Sequence, residues 1–133
     1  PAGWQYGVEV RNANLLRPEY FDVLRAHGAA HVFNSWTKMP PVDEQMAMPG
    51  AFTADFFAAR FLLRPGRAYG QAVKDFQPYR EIKDPNPEAR AAIQSLIHRG
   101  KESPMQSPSY VFVNNRLEGN APATIAAALD IPT

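Results

Sequence analysis

The chain contains no cysteine. That removes disulfide scaffolds, thiolate zinc sites and cysteine nucleophiles together. No run approaches the roughly 18 consecutive apolar residues that a membrane-spanning helix needs, and the N-terminus lacks the basic and apolar regions of a signal peptide. The chain therefore reads as soluble and cytoplasmic. Neither charge sign dominates: 14 basic residues face 13 acidic ones, net +1, so no strong field argues for nucleic acid or an anionic membrane, although a local basic patch stays open. The three histidines show no metal-ligand spacing. His27 and His31 are four apart with Gly28 breaking the helix between them, and His98 falls in a last helical turn, so all three read as structural or surface residues. Ser35 has no glycine elbow and no evident base, which disfavours a hydrolase nucleophile. The chain carries neither a P-loop nor a dinucleotide fingerprint, and it leaves the cofactor unknown.

What is present is ordinary globular material. In 133 residues, 45% are hydrophobic and 20% charged, enough to bury a core and expected to form one domain, residues 1–133. Tyr6 to Arg11 alternates apolar and polar side chains and predicts a strand. Arg17 to Ala26 predicts a helix with Pro18 in its first turn and Gly28 as a left-handed cap. Ala30 to Asn34 is a short buried strand. Trp36 to Phe52 is a long loop with one helical turn near Val42 to Ala47; its Met39, Met46 and Met48 suit a lid or partner surface more than a cofactor. A third strand is expected in the first part of Asp55 to Leu63, and a helix over Ala68 to Phe76. Asn86 caps a further helix, with Pro87 at its first position, Ile93, Leu96 and Ile97 on one stripe and Gly100 as its stop. Lys101 to Pro108 is a linker, Tyr110 to Asn115 the last strand, and Asn120 to Leu129 the last helix. Strands alternating with helices predict an α/β fold built on a parallel sheet.

Ligands of such folds bind beyond the carboxyl ends of the strands. All four predicted strands end in polar side chains there: Glu9 and Arg11, then Asn34 with Trp36, then Arg60 with Arg64 beyond, then Asn114, Asn115 and Arg116. Glu9 and Arg11, two apart, project to one face, either as a structural ion pair or as part of an anion site. Arg60 poses the same alternative, since an arginine after an apolar run needs a partner or an exposed strand end. Consecutive asparagines after an apolar strand suit a site better than a core. Asn120, opening the last helix, is either an ordinary cap or part of an anion-binding N-terminus.

The segments VEVRN (8–12), LRAHGAAHVFNSW (24–36), TADFFAARFLLRPGR (53–67) and VFVNNRLEGNAPAT (111–124) resemble, in that order, the YecE-like family, domain of unknown function 72. The likeness runs along nearly the whole chain. It implies a TIM-type barrel and points to Glu9, Arg11, Arg60, Asn114, Asn115, Gly119, Ala121 and Pro122. Where many members place histidines, this chain has Asn12 and Arg116; where an aspartate is common after the second strand, it has Asn34 and Ser35. These departures remove candidate general bases and leave a cationic, amide-rich rim. The family's early glycine-tryptophan motif and first strands are absent, and the chain starts without methionine, so about half a barrel is expected, the C-terminal half. Its two sheet edges call for pairing with another copy or with the N-terminal half.

Three functions follow. The first is an enzyme or binding site for a phosphorylated or otherwise anionic small molecule, with Glu9 and Arg11 as candidate catalytic groups and Arg60, Asn34, Trp36, Asn114, Asn115, Arg116 and Asn120 as candidate binding groups. The second is a nucleic-acid or phosphodiester-binding module that uses the same arginines, with Trp36 as a stacking platform. The third is a half-barrel whose polar strand ends serve assembly.

Overall fold

Pleated backbone sends alternate side chains to opposite faces, and a parallel sheet needs helices to cover at least one of them. The computed structural model of the chain, which describes residues 3–102 and 107–130, realises this arrangement. Strands β1 (Gly7–Val8), β2 (Ala30–Ser35), β3 (Ala58–Phe61) and β4 (Tyr110–Val113) lie side by side in sequence order, all parallel, in a sheet that does not close. The helices are α1 (Pro18–Ala26), α2 (Val42–Ala47), α3 (Tyr69–Phe76), α4 (Pro87–Glu102) and α5 (Ala121–Ala128). The expected order of elements is the observed one, and the fold is α/β with four βα units.

One face of the sheet is dry. Phe33, Ala59 and Phe61 meet Phe21 of α1, Val42 of α2 and Ile93 and Leu96 of α4 in a buried cluster. Met39 is buried, and Met46 and Met48 lean on the same cluster, so the loop methionines belong to the chain's own core rather than to a lid or partner surface. The other face carries the residues in between. Register pairs Asn34 with Arg60 and Arg60 with Phe112, which sets these three in a row across the sheet. Tyr110 and Phe112 on that face are 44% and 56% exposed, their rings stacked 6.3 Å apart.

Several expected boundaries shift, each for a local reason. β1 pairs over two residues, not the six of Tyr6 to Arg11. Ala30 gives its N–H to Tyr6, so the backbone groups of Asn34, on the same side of β2, face the same neighbour. There the side-chain amide of Gln45 takes the place of a strand: its Oε1 accepts from Asn34 N at 3.2 Å and its Nε2 donates to Asn34 O at 2.7 Å. A 3-10 turn follows over Ala13–Leu15, with Asn12 Oδ1 accepting from Asn14 N. β3 starts at Ala58 rather than at Asp55, because side chains replace the ladder before it. Thr53 Oγ1 accepts the N–H of His31 at 2.8 Å, and Ser109 Oγ accepts that of Phe57 at 3.0 Å.

The secure elements carry their caps as read. Asn86 Oδ1 accepts from Ala89 N at the start of α4, and Gly28 has φ +62° after α1. Gly100 does not stop α4, which runs on through Lys101 and Glu102. The glycine lies beside Phe57, and an added Cβ would stand at ordinary contact distance, 3.6 Å, from its ring. The first two residues of the expected linker are thus helical, and 103–106 lie outside the described residues.

Candidate functional site

The alternation that sends Glu9 and Arg11 to one face brings Glu9 between Arg11 and Arg60, the latter 51 residues further along the chain. Glu9 Oε1 accepts from Arg11 Nε and Oε2 from Arg60 Nη1, both at 2.7 Å. The carboxylate is largely covered, with 14% of its side chain exposed, whereas each arginine keeps 43% in contact with solvent. Arg11 Cζ also lies over the Trp36 ring, 4.1 Å from its centroid. Four of the expected site residues, drawn from the ends of three strands, therefore form one cluster: Glu9, Arg11, Arg60 and Trp36. One anion and two cations leave it a formal charge of +1, with exposed N–H donors fixed by a carboxylate. Such a group accepts an anion well; a planar guanidinium reads carboxylate or phosphate oxygens in pairs.

Asn34 sits beneath the cluster and is fully buried. Its Nδ2 donates to Val10 O at 2.9 Å, which ties the chain beyond β1 to β2, and its Oδ1 is buried without a partner among the described residues. The amide thus positions the segment that carries Glu9 and Arg11. The group after β4 has local tasks. Asn114 Oδ1 accepts from Arg116 N at 3.0 Å, Asn115 Oδ1 from Ala121 N at 2.8 Å, and Asn120 Oδ1 from Ala123 N at 2.9 Å. Asn120 Nδ2 donates to Tyr79 O. These bonds shape the turn and cap α5, a use of asparagine that the sequence signal cannot separate from ligand binding. Arg116 stacks over Tyr69 at 4.6 Å. Among the described residues no hydrogen bond or ion pair joins this loop to the Glu9 cluster.

Burial dominates the titration of two groups behind the sheet. His31, 1% exposed, is enclosed by Tyr20, Phe21 and Phe33, and desolvation pushes its pKa down to about 4. The Tyr20 hydroxyl, 3.0 Å from His31 Nδ1, is pushed up to about 12 by the same cause. Among the described residues no group of three or more His, Asp or Glu side chains is placed to hold a metal, and no helix is long and apolar enough to cross a membrane.

The family described as "Protein of unknown function DUF72" matches residues 1–131. The chain belongs to the DUF72 family. This DUF72 chain also superposes on the crystal structure of a DUF72 family protein from Thermotoga maritima MSB8, with a TM-score of 0.60 and 21% sequence identity. The match covers 97% of this chain and 45% of that one, so the chain spans less than half the length of that relative. At this identity the likeness concerns the fold. None of the curated proteins matches the DUF72 chain.

Sequence reasoning passed over the most deeply held ion pair of this DUF72 chain. Glu118, fully buried in the turn before α5, takes a forked contact from Arg90: Nε to Oε1 at 2.9 Å and Nη2 to Oε2 at 3.0 Å. Asn86 N donates to the same carboxylate, and the Glu118 carbonyl accepts from Lys83 N and Asp84 N. The next residue, Gly119, has φ +120°, and a Cβ there would stand 2.5 Å from Glu81 O. The Glu-Gly step therefore locks the β4–α5 turn onto the start of α4. The available signal was a lone carboxylate between Leu117 and Gly119 in a turn otherwise made of amides and one arginine; once buried, such a group demands a cation.

Proposed function

We propose that this chain is the C-terminal half of a YecE-like TIM-type barrel, that residues 1–133 act as a single cytoplasmic domain within it, and that its Arg11 and Arg60 bind a phosphorylated or otherwise anionic small molecule. The observation that carries this reading is the Glu9 carboxylate bridging Arg11 and Arg60 at 2.7 Å on each side. A fork of two half-exposed guanidinium groups at the carboxyl ends of parallel strands stands where such folds place their ligands. With both oxygens engaged, Glu9 orients the arginines, and the anion meets their remaining N–H donors. The open face supports the barrel reading: Tyr110 and Phe112, in the same row system as Arg60, remain uncovered, and the remaining half or a second copy would bury them. The nucleic-acid alternative draws less support, because Arg11 already occupies a face of Trp36.

The test is a titration with inorganic phosphate, followed by the side-chain Nε–H resonances of Arg11 and Arg60. Arg60→Ala should weaken binding about tenfold, the loss of one charge-assisted contact. Glu9→Gln raises the cluster's formal charge from +1 to +2 and should tighten binding severalfold. Phosphate affinity indifferent to Arg60→Ala would overturn the reading.

A further inference from the structure

The helix-covered face of the sheet holds a second cavity, unconnected with the arginine fork. Ser35 and Phe61 are register partners, each one residue on from the Asn34 and Arg60 pair, so they point the opposite way. They floor a cleft of about 260 Å³ at the carboxyl ends of β2 and β3. Its walls are Pro41 and Val42 at the start of α2, Pro65 after β3, and Ala89 and Ala92 on α4. The two alanines leave the space that larger residues would fill. Farther along the same helix, Ile93 and Leu96 close the core. Every wall comes from this chain, so the cleft does not depend on further strands.

Among the described residues, two donors in this apolar setting lack acceptors. Ser35, 3% exposed, accepts the N–H of Leu62 on its Oγ at 3.0 Å, which leaves its own hydroxyl proton to donate. Arg64 lines the cleft; its Nη2 is held by Pro85 O at 2.8 Å and stands 3.6 Å from Asp84, while its buried Nε has no partner among the described residues. A buried donor left unpaired costs about 1–3 kcal/mol, which an acceptor in the cleft would offset. Asp43 and Glu88 also line it, and both are exposed. Two carboxylates against one guanidinium repel a multiply charged anion.

We infer that this cleft binds a small, largely apolar molecule bearing a single carboxylate or carbonyl oxygen, received by Arg64 Nε–H and the Ser35 hydroxyl. The inference goes beyond the anion fork and stands on different residues. Benzoate is the probe, followed by ¹⁵N-resolved NMR of the 133-residue chain, with inorganic phosphate as the contrast. Benzoate should give saturable shifts at Arg64 Nε–H and at the amides of Ser35, Leu62 and Ala92, whether or not it also binds at the Arg11 and Arg60 fork. Phosphate should leave the cleft signals unmoved whether or not it binds at the fork. Ala92→Met, which fills the cleft, should abolish the benzoate shifts; Ala89→Met serves if that variant does not fold. Arg64→Lys, which keeps the charge and removes Nε, should weaken binding at least tenfold. Benzoate shifts confined to Arg11 and Arg60 with none at the cleft, no saturable shift, or undiminished cleft shifts in a folded methionine variant would each overturn the assignment.

Discussion

The Arg90 and Glu118 pair is asymmetric, and the asymmetry predicts an order of mutational costs. Glu118 is fully buried, whereas a quarter of the Arg90 side chain reaches solvent. Arg90→Ala removes the forked contact and leaves a buried carboxylate with the Asn86 N–H as its remaining side-chain-directed donor. Stranding a buried charge in this way costs about 3–5 kcal/mol. Glu118→Gln keeps the shape and discards the charge, and the orphaned guanidinium can turn its head to water; a lost charge-assisted contact of this kind costs about 2 kcal/mol. The double variant strands no buried charge, so it should be no less stable than Arg90→Ala alone. Urea unfolding followed by far-ultraviolet circular dichroism reads all three. For a slope of about 1.5 kcal/mol/M, Arg90→Ala should lower the midpoint by about 2 M or more and Glu118→Gln by somewhat over 1 M. If Glu118→Gln costs more than Arg90→Ala, or if both lie within about 0.5 kcal/mol of the parent, the desolvation argument is wrong.

Two further outcomes follow from burial and from backbone geometry. His31 has its pKa lowered from 6.5 to about 4 in the folded chain; the unfolded chain therefore binds the extra proton first, and stability complete above pH 6.5 is lost progressively as pH falls to about 4. The shift corresponds to about 3 kcal/mol, and His31→Phe should flatten that part of a plot of urea midpoint against pH. Gly119→Ala meets both a φ of +120° and the carbonyl of Glu81, and should destabilise by about 3 kcal/mol or more. Gly70→Ala, within α3 and with open space around it, should stabilise by about 0.5–1 kcal/mol; thermal melts of the two variants moving in the same direction would contradict this.

Local chemistry was readable in the sequence where it has a short period. The alternation that put Glu9 and Arg11 on one face, the Asn86-Pro87 start of α4 and the left-handed Gly28 all depend on neighbours within a few residues. What depends on register was hidden. Nothing in the order of residues says that Arg60 lies across the sheet from Asn34, so an unnamed partner could be posed only as an alternative to exposure, and Glu9 could not be named as that partner. Arg90 and Glu118, 28 residues apart, were hidden for the same reason. The asparagines after β4 show a different limit: an amide that caps a helix and one that holds a ligand look alike until their partners are known. Gly100 reads as a stop because glycine often ends helices, yet here its backbone stays helical and α4 runs on through Glu102.

Gln45 acts like the stop at the end of a zip. By occupying both backbone groups of Asn34, it prevents β1 from pairing further along β2, and the two chains part at the point where Glu9 begins. The segment beyond is moored by side chains: Glu9 to Arg60, and Asn34 to the Val10 carbonyl. An occupant that met the free N–H donors of Arg60 while Glu9 holds it, as proposed, would therefore tighten one of the moorings of the main chain itself. Binding at the proposed fork and the order of the first strand would thus be linked, with a single glutamine marking where backbone pairing to β2 ends and mooring by side chains begins.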